Sequence, residues 1–198
     1  MNAEADQKKK SIKMLLCSAI AMAVLVVLDQ VTKILAINNL KNQDSISIID
    51  GVFELRYLEN QSAAFGFDLV SFIQKIFHFS YFETHPEAFL LCKMAFFIVF
   101  TIVVLTLLAI IYWKIPWNKY FFLLNLTIIG FFSGAVGNLI DRICYHYVVD
   151  FLYFSLIDFP VFNVADIYVT LAALGLVIAL FHYKEEDFDL IFPSKKAG

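Results

Sequence analysis

Asp29, Asp141, Asp150 and Asp166 stand inside or at the rims of apolar runs. An ionised carboxylate at the centre of a membrane helix costs about 2.5 to 3.5 kcal/mol, so each of these needs water, a partner or a task. Asp29 precedes Lys33 by four residues, which puts acid before base on one helix face. Gly130, Gly134, Asn138 and Arg142 recur every four residues, with Gly137 and Asp141 beside them. One helix face thus ends in an amide, a guanidinium and a carboxylate. Asn163, Asp166 and Thr170 form a second such face, and Asp150 falls between the two in Val148-Val149-Asp150-Phe151, read as a connecting loop at the membrane boundary. Two carboxylates brought together in a poorly solvated site share one proton, so that one takes a proton from water while the other gives one. That is the hydrolytic chemistry of an aspartic protease, and it requires neither metal nor cofactor. The plainer alternative is four hydrated interfacial carboxylates.

Competing hydrolytic patterns are missing from the sequence. There is no HExxH, and His78, His85, His146 and His182 are too dispersed to suggest a zinc site. Ser133 lies in Gly130-Phe131-Phe132-Ser133-Gly134, without the glycine two residues earlier that a GxSxG serine site shows, and reads as a helix-packing residue. Cys17, Cys92 and Cys144 form no CxxC pair, and no disulfide framework is expected.

The elements that must hold these groups are apolar. The chain has 198 residues, 61% of them hydrophobic and 17% charged, with net charge −3; its mean hydropathy is +0.75. A chain this short cannot hide that much apolar surface in a soluble core. Four runs, about residues 14–37, 88–113, 120–140 and 163–183, are each long enough to cross roughly 30 Å of hydrocarbon. The first continues past Ala21-Met22-Ala23, which fits a retained anchor better than a cleaved leader. Nine of the fifteen basic residues, Lys8, Lys9, Lys10, Lys13, Lys114, Lys119, Lys184, Lys195 and Lys196, fall in the two tails and the turn after the second run. The positive-inside rule then makes both termini cytoplasmic and places the aspartates near the outer face. The slightly acidic balance and the absence of a basic stripe argue against a nucleic-acid partner.

The outer loop, about residues 38–87, is not a polar linker. Ile46 and Ile48, then Phe53, Leu55 and Tyr57, alternate with polar residues on either side of Asp50-Gly51, the pattern of a β-hairpin lying against the membrane surface. Leu69, Phe72, Ile73, Ile76 and Phe77 recur at helical spacing and predict an amphipathic helix, either in the interface or packed on the hairpin. The expected fold is therefore an all-α membrane protein, a four-transmembrane-helix bundle with a small extracytoplasmic β-hairpin and an interfacial helix, forming one membrane domain over residues 1–198.

Five ordered blocks carry a resemblance: DQVTK (29–33), NQSAAFGF (60–67), GNLIDR (137–142), VVDF (148–151) and FNVAD (162–166). In their order, and on these spans, they resemble the signal peptidase II family, the bacterial lipoprotein signal peptidases, over roughly residues 14–183. The resemblance implies an intramembrane aspartic endopeptidase of the bacterial inner membrane that cuts a lipidated prolipoprotein before its diacylglyceryl-modified cysteine. It implies Asp150 and Asp166 as the catalytic pair. Asn60, Asn138, Arg142 and Asn163 then line the site, and Asp29, Lys33 and Asp141 belong to its supporting network. No metal and no cofactor are expected, with membrane lipid as surroundings; a monomer is the expected state, though nothing in the sequence itself sets it. The family's small β-cradle agrees with the hairpin read from alternation.

Ser62, Gly66 and Ile167 depart from the family pattern, which places the detail of the substrate loop in question, and Asp68 to Glu87 is longer than the family leads one to expect. The alternative class is a non-catalytic small membrane transporter or assembly factor. Charges crowded at one interface, with no paired repeat, weigh against transport.

Overall fold

The computed structural model describes residues 2–62 and 69–191, with side chains described for 12–62, 70–187 and 191. The chain runs α1 (Asn2–Leu40), β1 (Ile46–Ile49), β2 (Phe53–Asn60), α2 (Leu69–Phe77), α3 (Ser80–Thr84), α4 (Pro86–Lys114), α5 (Phe122–Tyr145), β3 (Val148–Tyr153), a 3-10 turn (Ser155–Ile157), α6 (Val164–His182) and α7 (Glu185–Ile191). Among the described residues, four stretches are long and apolar enough to cross a membrane: Ile12–Leu40, Pro86–Lys114, Phe122–Tyr145 and Val164–His182. Most of their surface faces outward, as it must where lipid rather than water is the solvent. α4 opens on Pro86, whose missing N–H costs nothing at a first helical position, and it ends two residues before Pro116.

The residues group into two compact units. One lies within 1–28, 105–136 and 165–198 and has its core in Tyr112, Ile115, Phe121, Leu124, Ile128 and Tyr183, with Ile191 of α7 buried among them. Here α5 and α6 approach closely. A Cβ on Gly134 would lie 2.6 Å from the Ala165 carbonyl oxygen and from Val169 Cγ2, and one on Gly130 would lie 3.1 Å from Ala172 Cβ. Ser133 is buried and donates to the Ile129 carbonyl, a helix-packing residue as read from the sequence.

The second unit lies within 29–104 and 137–164 and carries the sheet, in which β1 and β3 flank β2 and both pairings are antiparallel. The turn between β1 and β2 needs a left-handed residue, and Gly51 supplies it at φ +69°. β3 corrects the expected architecture. Val148 to Phe151 is a strand, not a connecting loop, so the hairpin is the first part of a three-stranded sheet and Asp150 sits on a ladder opposite Leu58. Val148 through Phe151 are all buried, so no alternation marked the strand. The sheet packs Leu55, Tyr57, Val149 and Phe151 against Ala36 and Leu40 at the end of α1. α2 forms as expected, but its apolar stripe is not packed on the hairpin: Phe72, Ile76 and Phe77 are exposed.

Candidate active site

The sheet and two helix ends bring polar groups from distant parts of the chain around Asp150, which is 1% exposed. Asn60 closes β2 opposite Val148, diagonal to Asp150 on the same face of the ladder, and its Nδ2 donates to Asp150 Oδ2 at 2.8 Å. Asn163, the residue before α6, is fully buried; its Nδ2 donates to Asp150 Oδ1 at 2.6 Å. Both carboxylate oxygens therefore accept an amide N–H, an arrangement that serves a carboxylate acting as proton acceptor.

Behind this clasp lies a second layer centred on Lys33, which is 1% exposed. Its Nζ reaches Asp29 Oδ2 at 2.9 Å, Asp141 Oδ2 at 3.0 Å and Asn138 Oδ1 at 2.9 Å. An ammonium has three hydrogens, and these three acceptors match them. Asn138 Oδ1 also accepts from Asn163 Nδ2 at 3.1 Å, so a chain of hydrogen bonds runs from Lys33 through Asn138 and Asn163 to Asp150. Asp141 Oδ2 accepts the Val149 N–H at 3.0 Å, one residue before Asp150. Burying a charge this deep is tolerable only when it is paired and hydrogen-bonded, and Asp29 and Asp141, both fully buried, are both.

Arg142, one turn beyond Asn138, donates through Nη1 to the Asn138 carbonyl and through Nη2 to the Ser62 carbonyl, each at 3.4 Å, while its guanidinium lies 5.2 Å from the Phe97 ring centroid. Ser62 N–H in turn donates to Asn60 Oδ1 at 2.8 Å. Arg142 and Asn60 thus hold the start of the NQSAAFGF block; Gly66, on which one departure from the family falls, lies outside the described residues. Asp166 is the third residue of α6 and half-buried, in the first unit, whereas Asp29, Lys33, Asn60, Asn138, Asp141, Arg142, Asp150 and Asn163 all belong to the second. Ile167, another departure, is exposed.

One member of the network was not singled out in the sequence, although it stands within the DQVTK block. Gln30 Nε2 lies 3.0 Å from Asp141 Oδ1, 3.1 Å from the Gly137 carbonyl oxygen and 3.2 Å from Asp29 Oδ2. An uncharged residue beside Asp29 gives no pattern to read, although its position in the turn that carries Lys33 was visible.

Outside the spans, Lys41 and Glu59 tie the end of α1 to β2 at 2.8 Å. The hydrogen bond between them holds the Glu59 carboxyl below its usual range and raises Lys41 above its own. Burial, with Tyr147 and Glu59 beside it, pushes the Tyr57 hydroxyl well above its ordinary value.

Comparison with known proteins finds relatives along most of the chain. The chain is 36% identical over 167 residues to the lipoprotein signal peptidase of Clostridium tetani, covering 83% of this chain and 90% of that protein. It is 39% identical over 158 residues to that of Caldanaerobacter subterraneus, covering 79% and 90% respectively. Two solved structures of a bacterial membrane enzyme, obtained by the in meso method, have the same fold. The one at 2.3 Å resolution superposes with TM-score 0.62 at 28% identity, covering 92% of this chain and 94% of that one. The one at 1.9 Å gives TM-score 0.64 at 29% identity over 85% and 94%. The family model described as signal peptidase (SPase) II matches residues 21–182. With that match over most of its length, and with relatives this similar, the chain belongs to the signal peptidase II family, a family of membrane proteases.

Proposed function

We propose that this protein is an aspartic endopeptidase that removes the signal peptide from prolipoproteins by cutting before the diacylglyceryl-modified cysteine, with Asp150 and Asp166 as the catalytic pair. The observation that carries the reading is the Asp150 carboxylate, buried and held on both oxygens by the amides of Asn60 and Asn163. Family membership and the names of its relatives supply the substrate class. Asp166 is assigned as the partner from the FNVAD block, one helical turn beyond Asn163.

In this scheme Asp150 takes a proton from water as the water oxygen attacks the scissile carbonyl carbon. Asp166 gives its proton to the leaving amine as the C–N bond breaks, and proton exchange with water restores the pair. Asn60 and Asn163 hold the base in place. Asn138, Lys33, Asp29 and Asp141 keep those amides and the β3 backbone where the base needs them. Arg142 holds the Ser62 segment beside the substrate path. The protein acts as a monomer in a bacterial inner membrane, both termini in the cytoplasm and the site near the outer face, in keeping with the placement of its lysines.

The test uses purified full-length protein and a synthetic diacylglyceryl-cysteine prolipoprotein peptide. Asp150→Asn and Asp166→Asn should each insert and fold yet lose at least ~100-fold in turnover, the low end of what general acid-base catalysis contributes. Substantial cleavage by either variant removes that residue from the pair. Turnover abolished by a chelator and restored by added zinc would replace the aspartic mechanism with a metal-assisted one.

A further inference from the structure

Beyond β2, the outer side of β3 meets, among the described residues, only a bridge in which Leu152 pairs with Phe162, so the N–H of Val149, nearer the strand's start, takes a partner from elsewhere. At Val149 that partner is a side chain: the N–H donates to Asp141 Oδ2 at 3.0 Å, in a site where Val149 and Asp141 are both fully buried. The Asp141 carboxylate is thus one of the groups that hold the backbone just before Asp150, beside the pairing of Val149 with Glu59 and the Asn163 amide on the Val149 carbonyl. Lys33 sits on the same oxygen, Oδ2, at 3.0 Å. The other oxygen, Oδ1, is taken by Gln30 Nε2 at 3.0 Å. That amide also lies 3.1 Å from the Gly137 carbonyl, one turn before Asp141 on α5, and 3.2 Å from Asp29 Oδ2. Its two hydrogens serve three acceptors, two of them carboxylate oxygens whose charges would otherwise repel each other across a single lysine.

We propose that Gln30 is a positioning residue for the reaction: by holding Oδ1 of Asp141 it keeps Oδ2 on the Val149 amide, and through that amide it helps fix the β3 backbone that presents Asp150. The inference rests on the reading of Asp150 as the catalytic base. Gln30 touches neither Asp150 nor the Asn60 and Asn163 amides, so it acts on turnover and not on substrate binding.

The experiment measures kcat and KM of full-length Gln30→Met, Gln30→Asn and Gln30→Lys with the diacylglyceryl-cysteine peptide, each normalised to folded protein by size exclusion. Methionine keeps the length and removes the donor; asparagine keeps the amide but withdraws it by one methylene; lysine restores a donor long enough to reach Asp141. Turnover of the first two should fall about tenfold, the scale of a small misplacement of a catalytic group, with KM unchanged within about twofold. Gln30→Lys should retain most of the parental kcat. If Gln30→Met does not fold, Gln30→Asn carries the comparison with Gln30→Lys. Parental kcat in the donor-deficient variants, a loss expressed in KM, or equal damage in the lysine variant would each overturn the proposal. Asp150→Asn is run alongside. Turnover retained there rejects the catalytic assignment itself, whatever Gln30 does.

Discussion

At the scale of single residues, Lys33 and Arg142 are both cations, and their environments assign them different work. Lys33 is buried with three acceptors on its ammonium. Lys33→Met would leave Asp29 and Asp141 facing each other without compensation, so it should destabilise the protein by about 3 to 5 kcal/mol. The midpoint of unfolding in a denaturant titration of the micelle-embedded protein reads this directly. Arg142 is half-buried, and its value lies in geometry: a rigid fork reaches two carbonyls while the guanidinium plane meets Phe97. Arg142→Lys keeps the charge but cannot keep both contacts. It should lower kcat/KM for the lipidated peptide by about tenfold, because a hydrogen bond from a charged group is worth roughly 1.5 to 3 kcal/mol. Parental kinetics in that variant would reduce Arg142 to an interfacial anchor.

At the scale of elements, the α5–α6 contact and the α1–β2 tie make separate predictions. A Cβ added to Gly134 would meet backbone and a branched side chain at 2.6 Å, neither of which can swing away. Gly134→Ala should therefore lower stability by about 1 to 3 kcal/mol, as overpacking does, and the same denaturant titration measures it. The Lys41–Glu59 pair is exposed, so its effect is small and local. Glu59 is depressed from 4.5, so its contribution is complete above that pH and fades as pH falls through the lower folded value. Lys41 is raised from 10.5, so its contribution is complete below that pH and fades as pH rises through the higher folded value. Amide exchange along β2 should slow between those limits relative to Glu59→Gln, and identical exchange in the two proteins would show that the tie contributes nothing. The elements also differ in how readable they were. β1 and β2 announced themselves through alternation and Asp50-Gly51, because one local turn joins them. β3 did not, since a strand buried on both faces shows a continuous apolar run and its partner lies about ninety residues earlier.

At the scale of the whole molecule, the proposed orientation can be read with the chain's own cysteines. Cys144 is exposed, one residue from the end of α5, and Cys17 lies in the apolar stretch of α1. With both termini cytoplasmic, Cys144 and Cys92, the latter exposed in the first turns of α4, both lie toward the outer face, so in a Cys92→Ser background a membrane-impermeant maleimide added to intact cells should label the protein through Cys144, and adding Cys144→Ser should abolish that labelling. Labelling that requires prior permeabilisation would invert the topology.

The sequence by itself determined what depends on neighbours along the chain. The four apolar runs follow from hydropathy and length. The hairpin follows from period-two alternation around a glycine that tolerates φ +69°, and the Asp29–Lys33 pair from i, i+4 spacing on one helix. Most of the candidate residues stood out as polar groups in apolar surroundings, whereas Asn60 came only from the family resemblance. Only the tertiary structure decided how those groups are connected. Asn60, Asp150 and Asn163 come from three segments, and their hydrogen bonds exist only once β3 pairs with β2 and the chain enters α6 beside it. Gln30 shows the same limit at one residue: its amide has meaning only against Asp141, one hundred and eleven positions away. Spacing encodes what a helix turn or a strand pleat repeats, whereas a buried polar network is satisfied by distances in space that no local period records.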